Sequence, residues 1–447
     1  MKVQRDGRGF TVEVTADGEG LVSHAGSALL AQVADKTGLT GALSLAGMRE
    51  RRAGHDPGRV VRELAVMLAD GGDRLAELGA GRDRESLVGE VASDSTAFRP
   101  IERIARHTEL LERLRAAHAR GRKGAWRLGV RPERVAIDLD ATLITSHSDK
   151  EGAAGNFKGG FGFHPPLAYF DESAEAAAGL LRPGNAGANT AADQIAVSEQ
   201  ALEQIPTEHR EQIELLLRAD SAGAAHELLD WCREGNIRYS LGYELTEPVR
   251  EAILCLEEDS WVPAMTEEGE PREGAGVAEI TQLLERAEWP EGARFIVPRE
   301  RPHPGAQRSS TDRDGHRFQV FMTDQRGSDV AALERRHRQR ARVEDEIRAD
   351  KHTGLGNLPF RDFEPNAVRL ELGLIAHDPI AWTKAPLLPG ELARCEPKRL
   401  RYRLLQVAAR LAFHGRQAKL RLQASWPWAR HLAQAFARLK TLPVPAG

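Results

Sequence analysis

The stretch "ERVAIDLDATLI", residues 133–144, marks a change of texture in the chain. Upstream, from about residue 20, apolar residues recur at the three-to-four spacing of helices. Here they alternate with polar ones and include β-branched types, which predicts a strand. Asp138 and Asp140 share one face of it. Downstream, "FGFHPPLAYFDE" and "AAAGLLRPGN" read as strands and residues 189–204 as a helix. "IELLLRADSAG" is an almost unbroken apolar run, the mark of a buried strand. "AAHELLDWCREG" reads as a helix ended by Gly235, and "IRYSLGYEL" as a strand. Three strands, helix, strand, helix, strand is the order of a mixed α/β sheet. "RFQVFMTD" adds a strand leading into a late charged helix.

Either side of this block the texture differs. "GSALLAQVADKTGLTGALSLAG" predicts two short helices broken at Gly38, compatible with a helix-turn-helix. "GEVASDSTAFRPIERIARHTELLERLRAAHARGRKGAW" predicts a capping serine or aspartate and then a long basic amphipathic helix. Residues 245–316 break the rhythm with an acidic helix and the Gly/Glu/Pro-rich "TEEGEPREGAG", and read as an insertion. After about residue 355 the chain reads as helical. An Asp378–Pro379 step inside one helical pattern should kink or end it. The expected organisation is a mostly helical DNA-binding region over 1–130, a core over 131–244 and 317–385, an acidic insertion over 245–316, and a basic helical region over 386–447.

A chain of 447 residues exceeds one ordinary core. It contains no apolar run of about 18 residues, so no membrane span is expected. The opening "MKVQRDGRGF" lacks an apolar signal segment, which points to the cytoplasm. Cys232, Cys255 and Cys395 are widely spaced and fit a reducing compartment without a zinc pattern. Arginine supplies 52 of the 62 basic residues, as in GC-rich bacterial genomes. The net charge of −4 hides a strong polarity. Residues 394–440 carry 12 Lys/Arg against the single Glu396, and residues 101–134 carry 10 against four acids. Residues 244–291 hold 14 acids against three arginines. Two basic modules offset by one acidic insert suggest a polyanion partner.

Three carboxylates stand out by position. Asp140 lies in the first strand and Asp220 just past "IELLLRA". Glu344 lies on the late helix "LERRHRQRARVEDEIRADKHTGL", residues 333–355. If the first strand sits beside the fourth, the two aspartates approach each other, and a helix crossing that edge adds the glutamate. Three hard oxygen donors suit two Mg²⁺ ions, with Mn²⁺ as a substitute, and a two-metal site stabilises in-line phosphoryl displacement. Asp138 is an alternative to Asp140, which the D-x-T pattern with Thr142 favours. At 100° per residue, His337, Arg340, Glu344 and Lys351 fall within a sector roughly 60° wide. Val330, Leu333 and Ala341 lie close to it, so the stripe is expected to face protein.

The spacing of that stripe carries a resemblance. In the Y-R-E-K branch of the DDE transposases of bacterial insertion sequences, the signature is Tyr, two residues, Arg, three residues, Glu, six residues, Lys. His337, Arg340, Glu344 and Lys351 match every spacing, with histidine at the tyrosine position. The flanks "HRQRARVEDEIRADKHTGLGNLPF", "AIDLDATLITSHSDKEGAAGNFKGGFGFHPPLAYF", "LRPGNAGAN", "LRADSAGA" and "RERPHPGAQ" also resemble that branch, so the likeness spans most of residues 20–440.

It implies a ribonuclease-H-like (retroviral-integrase-like) core interrupted before the Glu344 helix. Asp140, Asp220 and Glu344 would be the catalytic, metal-holding triad, and His337, Arg340 and Lys351 would contact DNA phosphate. In some relatives an aromatic of the insertion stacks on a flipped base, a role open here to Trp261 or Trp289. The implied partners are the terminal inverted repeats and target DNA, bound by a homodimer that joins two ends and associates with the nucleoid when bound. A domesticated DNA-binding protein or a plain nuclease of the same fold is the alternative.

Overall fold

The computed structural model describes residues 4–5, 11–12, 14–45, 54–187, 190–220, 226–285, 289–302, 305, 312–313, 315–415 and 417–443. Parts of "LRPGNAGAN", "LRADSAGA" and "RERPHPGAQ" lie outside these residues, as does the start of "AAHELLDWCREG".

The alternating block that begins at residue 133 builds the centre of a large mixed sheet. Its strands are β1 (Arg134–Ala141), β2 (Pro166–Phe170), β3 (Glu175–Gly179), β4 (Glu214–Ala219) and β5 (Arg238–Tyr243). They continue with β6 (Val262–Met265), β7 (Pro271–Glu279), β8 (Arg294–Glu300) and β9 (Val320–Thr323). The spatial order is β6-β7-β8-β9-β5-β4-β1-β2-β3. β1, β4 and β5 are mutually parallel; β2 runs antiparallel beside β1, and β3 antiparallel beside β2. The first strand does sit beside the fourth. Its Val135, Ile137 and Leu139 are buried, and so are Ala136 and Asp138 on the other face, because helices cover both sides.

Helix α6 (Ala191–Gln204) connects β3 to β4 and α7 (His226–Glu234) connects β4 to β5. Segment 245–316, which reads from sequence as an acidic helix and irregular chain, is more ordered than that. It holds α8 (Glu247–Leu254) and three strands, β6 to β8, which extend the same sheet past β9. β7 is exposed over its first half, so its acids and glycines hide the strand pattern.

Upstream, α1 (Ser27–Lys36) and α2 (Leu39–Leu45) flank Gly38, whose φ of +82° favours glycine. α1 is buried on most sides, which leaves it little surface to offer a groove. The long basic helix is two: α4 (Asp94–Ala105), capped by Ser93, and α5 (Thr108–Ala125); α3 (Pro57–Ala69) precedes them. Downstream of β9 come α9 (Val330–Arg338), a tight turn at 339–341, α10 (Arg342–Asp350) and α11 (Phe363–Leu387).

α11 does not end at Pro379. Asp378 is fully buried and accepts from Arg122 Nη2 at 2.5 Å, the Ala176 amide at 2.8 Å and, at 2.7 Å, pairs with His118 Nε2. Glu175 accepts from Trp126 and Trp382 indole N–H groups at 2.8 and 2.7 Å. This satisfied polar core ties α5 and α11 to β3, and offsets the hydrogen bond that Pro379 cannot make.

The basic C-terminal region is not wholly helical. Ala409–His414 (β10) and Gln417–Leu422 (β11) form a hairpin that pairs with Leu21–Val22, before α12 (Ala429–Thr441). "ARLAFH" and "QAKLRL" put apolar side chains at alternate positions, which is strand period and not helix period. Among the described residues no helix is long and apolar enough to cross a membrane. Cys232, Cys255 and Cys395 are free thiols.

Candidate active site

Two rungs of the β1/β4 pair define the site. In the parallel register Asp138 lies opposite Arg218. Their side chains make a two-pronged ion pair, Nε–Oδ1 2.6 Å and Nη2–Oδ2 2.7 Å, with no exposure to solvent at the guanidinium. Arg218 also reaches Asp171 at 3.0 Å, just past β2, and donates to the carbonyl of Arg336 on α9. Burial pushes the Asp138 carboxyl up to about 7 against the pull of Arg218. Both oxygens of Asp138 are thus engaged in holding two strands and a helix together.

Two residues beyond the last paired rung, Asp138 with Arg218, stand Asp140 and Asp220, close enough for the charge of Asp220 to act on Asp140. Here like charge meets like charge. Asp140 Oδ1 accepts only the next amide, Ala141 N–H, at 2.7 Å. Burial raises its pKa; Arg340 and that amide lower it, while the charges of Asp220 and Glu344 raise it further. Glu344 stands on α10, whose Val343 and Ile347 pack into an apolar cluster with Leu167 and Tyr169 of β2. Arg340 spans the gap: Nη1 is 3.8 Å from Asp140 and Nη2 is 3.9 Å from Glu344. Neither distance is a hydrogen bond, and Nη1 is a buried donor without a hydrogen-bond partner.

The end of α10 is anchored separately. Asp350 is buried, accepts from Tyr169 Oη at 2.6 Å, and is paired with His377 of α11. Burial disfavours the charged imidazole, but Asp350, Glu346 and Asp378 outweigh it and hold His377 at about 10. Sequence reading misses Arg218, Asp350 and His377. The available signal is an arginine inside an apolar strand, which requires a buried acid.

A model of the family Transposase DDE domain group 1 matches residues 4–444. The chain belongs to that family. Among solved structures it is similar to a piggyBac transposase in a synaptic complex with hairpin DNA, at 8% identity and a TM-score of 0.42, over 85% of this chain and 77% of that one. No curated protein matches it.

In this transposase the signature stripe faces inward only in part. His337 stacks on Phe321, with ring centroids 4.2 Å apart and planes 6° apart, and its Nδ1 meets Ser240 Oγ at 2.9 Å. Burial and the nearby Arg340 and Arg218 push it down to about 3, so it is neutral. Arg340 is 18% exposed, but Glu344 is 61% exposed and stands at the rim. Lys351 is half-buried, with its pKa lowered by burial and by Lys158. Trp289 is enclosed by His226, stacked at 4.5 Å, and by Tyr243 and Phe295. Trp261 lies under Arg299 and lines a cleft with Leu254 and Phe318.

Among the described residues no three Asp, Glu, His or Cys groups form a ready-made metal cage. The donor chemistry nonetheless suits hard divalent cations: the charges of Asp220 and Glu344 both act on Asp140, and Asp140 and Glu344 share one arginine that hydrogen-bonds neither of them.

Proposed function

We propose that this transposase cuts DNA at the ends of a bacterial insertion sequence and joins the freed ends to target DNA. The observation that carries the reading is the like-charged rung of Asp140 and Asp220, completed by Glu344 around Arg340. These three would hold two Mg²⁺ ions, or Mn²⁺ in their place. Bound there, divalent cations lower the pKa of water and neutralise the phosphodiester. The two-pronged pair of Asp138 with Arg218 favours Asp140 for that role.

In the reaction a water oxygen bonds to phosphorus while the P–O3′ bond breaks, leaving a 3′-hydroxyl on the element. That hydroxyl then attacks a target phosphodiester in the same way. Arg340, poorly bonded between its two acids, would turn to a DNA phosphate, and Lys351 would add a point charge. His337 would donate from Nε2, since Ser240 holds Nδ1. Of the two tryptophans, Trp261 borders an open cleft that would suit a flipped base, whereas Trp289 is packed against His226, Tyr243 and Phe295.

In this reading residues 131–244 and 317–385 are the ribonuclease-H-like core, and 245–316 is the insertion before the Glu344 helix. Residues 1–130 and 386–447 bind the terminal repeats, and two copies on DNA bring the ends together. The test is strand cleavage of a duplex bearing one element end, with Mg²⁺. Asp220→Asn and Glu344→Gln should each lower the rate on the order of 10³-fold with folding intact. Undiminished cleavage by either would reject the site.

A further inference from the structure

The hairpin of β10 and β11 has two chemically distinct faces. The register pairs Ala409 with Leu422, Leu411 with Leu420 and Phe413 with Ala418 on one face. Ala409 and Leu411 there are buried, and Leu420 and Leu422 are half-buried. The other face pairs Arg410 with Arg421, Ala412 with Lys419 and His414 with Gln417. Arg410, His414, Lys419 and Arg421 are all exposed.

Directly opposed like charges destabilise a strand pair. An Arg–Arg rung on a solvent face therefore costs stability unless an anion sits over it. Among the described residues no carboxylate makes an ion pair with Arg410, Lys419 or Arg421. The surrounding segment, 394–440, has one acid in all, Glu396. Among the described residues nothing thus offsets this face.

We infer that the 409–422 ribbon is a DNA-binding element that lays its basic face in the major groove of duplex DNA. The inference rests on the transposase reading and deepens it by naming the contacting element. A two-stranded ribbon fits the B-form major groove, which is about 12 Å wide. Six residues per strand reach about 20 Å, enough to follow several base pairs. The buried apolar side fixes the ribbon to the body through Leu21–Val22, so the basic side is presented at a set angle. The Arg410/Arg421 rung supplies two guanidinium forks for phosphate or for guanine O6 and N7, with Lys419 nearer the tip.

The test uses the full-length protein and a 30-base-pair mixed-sequence duplex, read by fluorescence anisotropy over a salt series. The triple variant R410Q/K419Q/R421Q should bind at least tenfold more weakly. Its log–log salt slope should be shallower by between about 0.9, where Lys419 alone meets phosphate, and about 2.7, where all three side chains do. Methylating guanine N7 beforehand should weaken the wild type and leave the triple variant unaffected. A second variant separates folding from binding. Arg410→Glu converts the rung to an opposite-charge pair, so it should raise the melting temperature while lowering DNA affinity. An unchanged salt slope in the triple variant would overturn the inference and leave the catalytic reading standing. Absence of DNA binding by the wild type would overturn both. Unchanged DNA binding with altered sedimentation would make the face an interface between copies, and would overturn the inference as well.

Discussion

The two rungs of the β1/β4 pair are one pleat apart and do opposite things. On the inner rung Asp138 meets Arg218, opposite charges in full two-pronged contact, sealed from water. Two residues further on, Asp140 feels the charge of Asp220, and Arg340 stands 3.8 Å from it without bonding it. The same contrast recurs on α10. Asp350 is buried between Tyr169 and His377, whereas Glu344, six residues earlier, stands at the rim near Arg340 alone. Asp140 and Glu344, both assigned to chemistry, each have a paired acid close by on the same element. The paired acids fix the elements.

The sharpest way to break the comparison is to make the inner rung resemble the outer one. Asp138→Ala leaves the buried Arg218 with Asp171 as its remaining carboxylate, and breaking such a buried pair costs up to about 3–5 kcal/mol. Urea unfolding should show that loss, while the Asp140→Ala counterpart should not. Equal losses would mean that the two rungs have the same job.

The anchor of α10 gives an effect of similar size, read by pH. His377 has a folded-state pKa of about 10, above its usual 6.5. A raised pKa means that folding takes up the proton, so its contribution is complete below pH 6.5 and is lost as pH rises towards 10. A pKa of about 10 against 6.5 corresponds to a decline on the order of 4 kcal/mol between pH 6 and pH 10, of similar size to that for Asp138→Ala. Unfolding midpoints at pH 6, 8 and 10 should fall for the wild type relative to His377→Gln, in which the slope is removed. Parallel curves would show that His377 is neutral and that Asp350 is held by Tyr169 alone.

Much of this contrast is legible in the order of residues alone. The alternation in "ERVAIDLDATLI" places β1, and with it Asp138 and Asp140 on one strand. The paired acids are illegible because their partners are remote in sequence: Arg218 from Asp138, His377 from Asp350, and Arg122 from the Asp378 that makes sense of the Asp378–Pro379 step. Pairing across a sheet follows from register, which a single sequence leaves open. The 409–422 hairpin escapes notice for another reason. Its arginines and lysines sit in a long basic stretch where a solvated helix face and a strand face have the same composition, and only the period-2 alternation separates them. The strands of 245–316 are hidden by acids and glycines that the exposed part of β7 tolerates.

The smallest expected effect has the most to say about the outer rung. Crowding of three carboxylates is a cost that the fold carries for function, so relieving it should stabilise the protein. Without divalent ions, Asp140→Asn removes one charge from the cluster and leaves its neighbours in place. It should gain a few tenths to about 1 kcal/mol. With Mg²⁺ the order should invert. Cations bound by the folded wild type stabilise it by about 1.4 kcal/mol at ten times the dissociation constant, and the variant, lacking a donor, gains little. Thermal melts of both proteins in chelator and in Mg²⁺ give all four values. A variant less stable than the wild type in chelator would place Asp140 in a structural pair with Arg340, an inner rung after all, and the division of labour between the two rungs would fall.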